Sequence, residues 1–153
     1  MAASPNDSHL SFDQCWELLA ASIVGRLALV VDGHPEIFPV NFVLERRTIV
    51  FRTAAGTKLW ASAKQQPTAF EIDGYDPQAA EAWSVVVRGT TTLIEDPDEL
   101  SAVDVLNLEP WEPGTKRHYV RLSPLTLTGR RFRVAAPDVW NTRLHDERRA
   151  SFE

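Results

Sequence analysis

The stretch VFRTAAGTKLWASA, Val50 to Ala63, gathers residue types able to hold an anion. Val50 to Thr53 reads as a strand, and Ala54, Ala55 and Gly56 permit a close turn. Thr57 can cap a helix, and Lys58 to Gln66 is rich in helix formers until Pro67 stops the run. A helix start presents unpaired N–H groups and the positive end of its dipole. Arg52, Thr53, Thr57 and Lys58 grouped around such a start would form a phosphate pocket. The same residue types also suit an ordinary solvated connection, so taken alone the stretch leaves both readings open.

A second candidate is PVNFV, Pro39 to Val43. Proline removes a ladder donor, so Pro39 marks a strand edge or a bulge. Main-chain groups there can address a flat hydrogen-bonding ring, and the Asn41 amide both donates and accepts. The competing reading is that Asn41 caps a bulge. No catalytic triad or metal-ligand cluster stands out, and the 4 histidines (His9, His34, His118 and His145) are scattered. Only His118 falls near the expected site. The DPDEL stretch fits a helix start better than acid–base work.

These residues need a scaffold. Residues 1–10 are polar, carry Pro5 and are expected to be loose. Ser11 to Gln14 resembles a capping box. Cys15, Leu18, Leu19, Ser22 and Ile23 follow helical spacing, with Gly25 as the helix end. Arg26 to Val31 reads as a first strand, apolar on both faces, and Asp32-Gly33 as a hairpin turn. Strands are then expected over Glu36–Leu44, Thr48–Thr53 and Thr68–Asp73, with a connection over Gly74–Ala82. A long strand over Trp83–Glu95 follows, bent at Gly89. A short helix starts after Asp96 and runs to about Leu106. A Pro- and Gly-bearing loop with Trp111 leads to last strands over His118–Ser123 and Leu125–Val134, broken near Pro124. Six or seven antiparallel strands with short helices imply a mostly β fold, a small barrel with helical caps. The barrel domain is expected over residues 11–134, with a C-terminal tail over 135–153.

Composition narrows the function classes. A chain of 153 residues with 44% hydrophobic content suits one globular domain. The net charge of −5 argues against general nucleic-acid binding. Arginines nevertheless cluster late, at Arg117, Arg121, Arg130, Arg131 and Arg133, and most of these suit outward strand positions paired with acids. The longest apolar run, Leu27 to Val31, is far too short to span a bilayer. No signal-peptide pattern opens the chain. The single Cys15 excludes an internal disulfide and reads as a buried thiol. A cytoplasmic protein is the expectation.

An ordered series of short pieces adds a family resemblance. CWELL, GRLAL, IFPVNFV, IVFRTAAGTKL, AFEID, WSVVVRGTTTLIED and HYVRLSPLTLTGRRF together resemble the pyridoxamine 5′-phosphate oxidase-like split-barrel flavoproteins, in particular their nitroimidazole-reductase-like subgroup. The resemblance covers roughly residues 13–133. It implies an antiparallel split barrel of the FMN-binding type, and a homodimer with flavin mononucleotide (FMN) at the subunit interface. It places the cofactor phosphate on Arg52, Thr53, Thr57 and Lys58, and the ring along Pro39, Val40 and Asn41. Ser84 stands where relatives often have a glutamine that reaches the ring, and Trp111 and Arg131 lie on flanking segments. Arg117 and Arg130 replace aromatic residues of the oxidase proper, which argues against oxidation of pyridoxamine phosphate.

The function implied is a flavin-dependent oxidoreductase acting on a small organic molecule. A deazaflavin-dependent reductase and a non-catalytic flavin-binding or storage protein share the same cradle. A haem-handling split barrel fits less well, since no histidine sits in a marked ligand context.

Overall fold

The computed structural model describes residues 7–54, 66–108 and 118–134. Its elements are β1 (Asp7–His9), α1 (Phe12–Ala21), β2 (Val24–Val31), β3 (His34–Glu45), β4 (Thr48–Thr53), β5 (Pro67–Asp76), β6 (Glu81–Ile94), α2 (Pro97–Asp104) and β7 (His118–Arg133). The expected helix from Lys58, the Trp111 loop with Arg117, and the 135–153 tail lie outside the described residues.

The strands form one 7-stranded sheet in the order β1-β7-β4-β3-β2-β5-β6, and a further β7–β6 pairing closes it into a barrel. Every pairing is antiparallel. The mostly β split barrel is therefore as the sequence led one to expect.

Local chemistry explains most of the turns. The Ser11 hydroxyl accepts from the Gln14 N–H, and the Gln14 side chain accepts from Ser11 N–H, which completes the capping box. Asp32 and Gly33 take φ of 50° and 78°, the left-handed pair of a two-residue hairpin. The Asp96 carboxylate caps α2 by accepting from Asp98 and Glu99 N–H, with Pro97 in the first turn.

The bend expected at Gly89 is a register shift between Arg88 and Gly89. A Cβ on Gly89 would fall 2.1 Å from the Ser123 carbonyl oxygen, so only glycine lets the strands approach this closely. Gly89 pairs with Pro124 and Arg88 with Thr126, which leaves Leu125 looped out between them.

Several expectations need correction. Asp7–His9, within the segment read as loose, pairs with β7 through Asp7–Phe132, Ser8–Arg131 and His9–Arg130. Helix α1 ends at Ala21 with Ser22 as its C-cap, so neither Ile23 nor Gly25 belongs to it. Gly25 sits inside β2 because an added Cβ would strike the Phe70 ring at 2.1 Å. Strand β2 begins at Val24 rather than Arg26, and its exposure alternates: Leu27, Leu29 and Val31 face inward, while the outer face carries the apolar Ala28 and Val30 beside Arg26. The expected break at Pro124 is absent, and β7 runs unbroken from His118 to Arg133. Its bulge accommodates a residue without an N–H. The supposed connection over Gly74–Ala82 is mostly strand, since β5 reaches Asp76 and β6 begins at Glu81. Helix α2 stops at Asp104, short of Leu106.

The barrel interior is filled by Leu27, Leu29, Phe42, Ile49, Phe51, Phe70, Val85, Val87, Val120 and Leu122, with Cys15 and Leu19 of α1 plugging one end. Burial raises the Cys15 thiol pKa, in line with a buried, inert thiol. A smaller cluster, Val50, Ile94, Val103 and Tyr119, lies outside the barrel wall under α2. Among the described residues no helix is long and apolar enough to cross a membrane.

Candidate functional site

Alternation along β4 decides where its side chains go. Ile49 and Phe51 enter the barrel core, whereas Val50 joins the outer cluster under α2. By the same period Arg52 points outward and Thr53, only 2% exposed, points inward. The two residues expected to share an anion therefore present their side chains to opposite faces. The outward one, Arg52, carries the free-standing chemistry. Thr57 and Lys58 lie outside the described residues.

Arg52 is held on several sides. Its Nη1 donates to the Leu108 carbonyl at 3.1 Å. Its Cζ lies 5.2 Å from the centroid of the Tyr119 ring, its cross-strand partner in β7. The Tyr119 hydroxyl donates to Asp104 Oδ1 at 3.0 Å. Burial, then the Asp104 hydrogen bond, raise the Tyr119 pKa above its ordinary value, while the Arg52 charge opposes them. The buried Arg52 Nε has no hydrogen-bond partner among the described residues. An arginine offers five N–H donors in a fixed fork. With Nη1 committed to Leu108, the side-on Nε/Nη2 pair is the arm suited to a two-oxygen acceptor.

Leu108, which anchors this arginine, also lines a cavity of about 460 Å³. Leu19, Ser22 and Ile23 at the end of α1, Asn41 to Leu44 of β3, and Asn107 and Leu108 line it. Leu108 is thus shared between the cavity wall and the arginine's anchor. The volume falls in the range of small-ligand sites, with an apolar lining and few polar groups.

The other expected contacts separate by face. Pro39 pairs with Arg26 and Asn41 with Val24, on the outer side of β2 and β3, whereas Val40 is buried in the core. The Val40 side chain is therefore turned away from that outer face. Residues 34–41 of β3 pair with β2, and pairing with β4 begins at Phe42, so Pro39 does sit at a strand edge. Phe42 N–H donates to Ile23 O on the β2 side. Because these groups alternate along an antiparallel strand, the main chains of Pro39 and Asn41 are directed the other way.

Ser84 lies between Asp73 and Arg130 on the outer face, while Arg131 pairs with Trp83 on the inner one. One chain does not bring Ser84 and Arg131 together. Trp111 lies outside the described residues. His118 pairs with Thr53 at the start of β7 and is exposed.

Sequence reasoning missed Tyr119, Asp104 and the Leu108 carbonyl. Their link to Arg52 depends on the β4–β7 pairing and on where α2 ends. The tyrosine in HYVRL was the only available signal.

Comparison with known proteins adds independent findings. A family model described as pyridoxamine 5′-phosphate oxidase matches residues 11–131. A Mycobacterium smegmatis structure described as an FAD binding protein is 41% identical, covers 84% of this chain and 100% of its own, and superposes with a TM-score of 0.75. A Corynebacterium glutamicum structure is 34% identical over 88% of this chain and 99% of its own, with a TM-score of 0.77. Among curated proteins, Rv0080 of Mycobacterium tuberculosis is 30% identical over 136 residues, 83% of this chain and 89% of that protein.

Proposed function

The chain belongs to the pyridoxamine 5′-phosphate oxidase family, and from that premise we propose that it binds a flavin nucleotide and serves as an oxidoreductase on a small organic molecule. The observation that carries the reading is the buried Nε of Arg52, which has no hydrogen-bond partner among the described residues and whose side chain is anchored to Leu108, a residue of the cavity wall. A buried polar group left unpaired costs about 1–3 kcal/mol, so it persists where a partner is to be met. A phosphoryl group supplies that partner, and the residues present fit it.

In this reading Arg52 takes the phosphoryl group, joined by Thr57 and Lys58 as the sequence implies. The Pro39 carbonyl and the main chain of Asn41, directed away from β2, serve the polar edge of the ring. The apolar wall from Leu19 to Ile23 and Phe42 to Leu44 excludes water. The bound flavin supplies the redox chemistry, and the protein sets its orientation and access.

Sequence resemblance favours FMN. The 41% identical relative described as an FAD binding protein supports FAD as a second reading, and a deazaflavin cofactor is the third. All carry the phosphoryl group assigned to Arg52. Fluorescence titrations with each separate them: the true cofactor saturates at the lowest concentration. Failure of all three to bind overturns the proposal.

The outer face of β2 and β3 supports a homodimer. Val30 and Ile37 are 53% and 67% exposed there, next to Pro35, and Val24, 38% exposed, lies beyond Arg26 on the same face. Exposed apolar surface of this kind favours burial against a partner. A second copy is the occupant that fits, because the same face carries Pro39, Asn41 and Ser84, and the copy would close over the ring. Ile37→Asp is expected to convert a dimer into a 17.2 kDa monomer in sedimentation, with weakened flavin binding. A wild-type protein sedimenting at 17.2 kDa contradicts the dimer.

A further inference from the structure

Resting on the reading of Arg52 as the phosphoryl-binding residue, we propose that Tyr119 and Asp104 are positioning residues. They hold the Arg52 guanidinium so that its Nε/Nη2 arm faces the phosphoryl group before the cofactor arrives. An arginine side chain has many rotamers, and each one frozen only on binding weakens the complex. Here the freezing is built into the fold. The Leu108 carbonyl fixes Nη1 at 3.1 Å. The Tyr119 ring, 5.2 Å from Cζ, constrains where the guanidinium lies. The ring is itself held by the hydroxyl bond to Asp104 at 3.0 Å.

Both anchors come from one short segment. Asp104 is the last residue of α2, and Leu108 follows within a turn. Val103, fully buried against Val50 and Ile94, seats that segment on the barrel wall. Tyr119 is 6% exposed, so its ring has little freedom to leave. The clamp therefore transmits the seating of α2 to a side chain on β4.

A purely structural Tyr119 would alter stability without touching phosphate recognition. The two roles are told apart by the ratio of riboflavin to FMN dissociation constants, since riboflavin lacks the phosphoryl group; FAD is run in parallel. Full-length wild-type protein should show a ratio well above one. Tyr119→Leu, which removes ring and hydroxyl, should lower it about fivefold. Tyr119→Phe, which keeps the ring, should restore most of it. Asp104→Ala, at an exposed position, should lower it about twofold while leaving the fold intact. An unchanged ratio in Asp104→Ala and in folded Tyr119→Leu overturns the clamp and leaves the flavin reading standing. A Tyr119→Leu protein that does not fold leaves the decision to Asp104→Ala alone. Wild-type protein that binds no flavin overturns both.

Discussion

Arg52→Met is expected to weaken flavin-nucleotide binding about 10- to 100-fold, while riboflavin binding to the folded protein changes little. The estimate follows from hydrogen bonds to charged groups, worth about 1.5–3 kcal/mol net. Methionine keeps an unbranched side chain of similar length and gives up the charge and the fork that lie over the Tyr119 ring. The Leu108 carbonyl loses its donor, a cost of about 1–3 kcal/mol in stability. Arg52→Lys separates charge from geometry. A lysine keeps the cation but cannot offer two parallel N–H groups, so its affinity should fall between wild type and Arg52→Met. Equal FMN and FAD affinities in wild type and Arg52→Met, measured by fluorescence quenching, contradict the placement of the phosphoryl group.

The largest stability loss is expected at Glu45, a residue remote from the cofactor argument. The Glu45 carboxylate accepts from Arg121 Nη1, which also donates to Thr48 Oγ1 at 2.6 Å. Their side chains are 13% and 15% exposed, so the pair is largely desolvated. Arg121 Nη2 also approaches Glu99 of α2 at 3.6 Å, but Glu99 is 56% exposed. The group ties the β3–β4 hairpin to β7 and to the helix that seats Arg52's anchors. Glu45→Ala leaves the Arg121 cation with the neutral Thr48 hydroxyl and the distant, exposed Glu99, and a loss of about 3 kcal/mol in urea unfolding is expected. Changing both, Glu45→Leu with Arg121→Met, should cost less than the single change, because no charge is left unpaired. The exposed pairs from Arg26 to Glu71 and Asp73 are a useful control, since solvent screens them and their loss should scarcely register. A Glu45→Ala effect as small as theirs shows that the buried pair is not what fastens α2.

Signals carried by adjacent residues were legible in the chain. Asp32-Gly33 announced its hairpin, Asp96-Pro97 its helix start and Gly89 its bend, because each is a local demand on backbone geometry. What failed depended on neighbours distant in sequence. Pro124 read as a strand break, yet opposite Gly89 it sits where the ladder is already displaced, so its missing N–H does no harm. Gly25 read as a helix end, but the Phe70 ring is the reason for a glycine there. Asp7–His9 read as loose because three polar residues give no hint of the β7 edge awaiting them.

The site divides along the same line. Arg52 stood out because its type and its place before a Gly-bearing turn could be read together. That Thr53 faces the other way follows from the two-residue period of a strand, once Ile49 and Phe51 are known to be core. Tyr119 and Asp104 could not be found in advance, since only the β4–β7 register brings them beside Arg52.

The central claim is that this chain holds a flavin by its phosphoryl group. Its most direct test is to incubate the purified full-length protein with excess FMN, FAD or riboflavin, desalt it, and record the visible spectrum. The account predicts that the phosphorylated flavins stay with the protein and riboflavin washes away. Colourless protein from all three, or riboflavin retained as well as FMN and FAD, contradicts it.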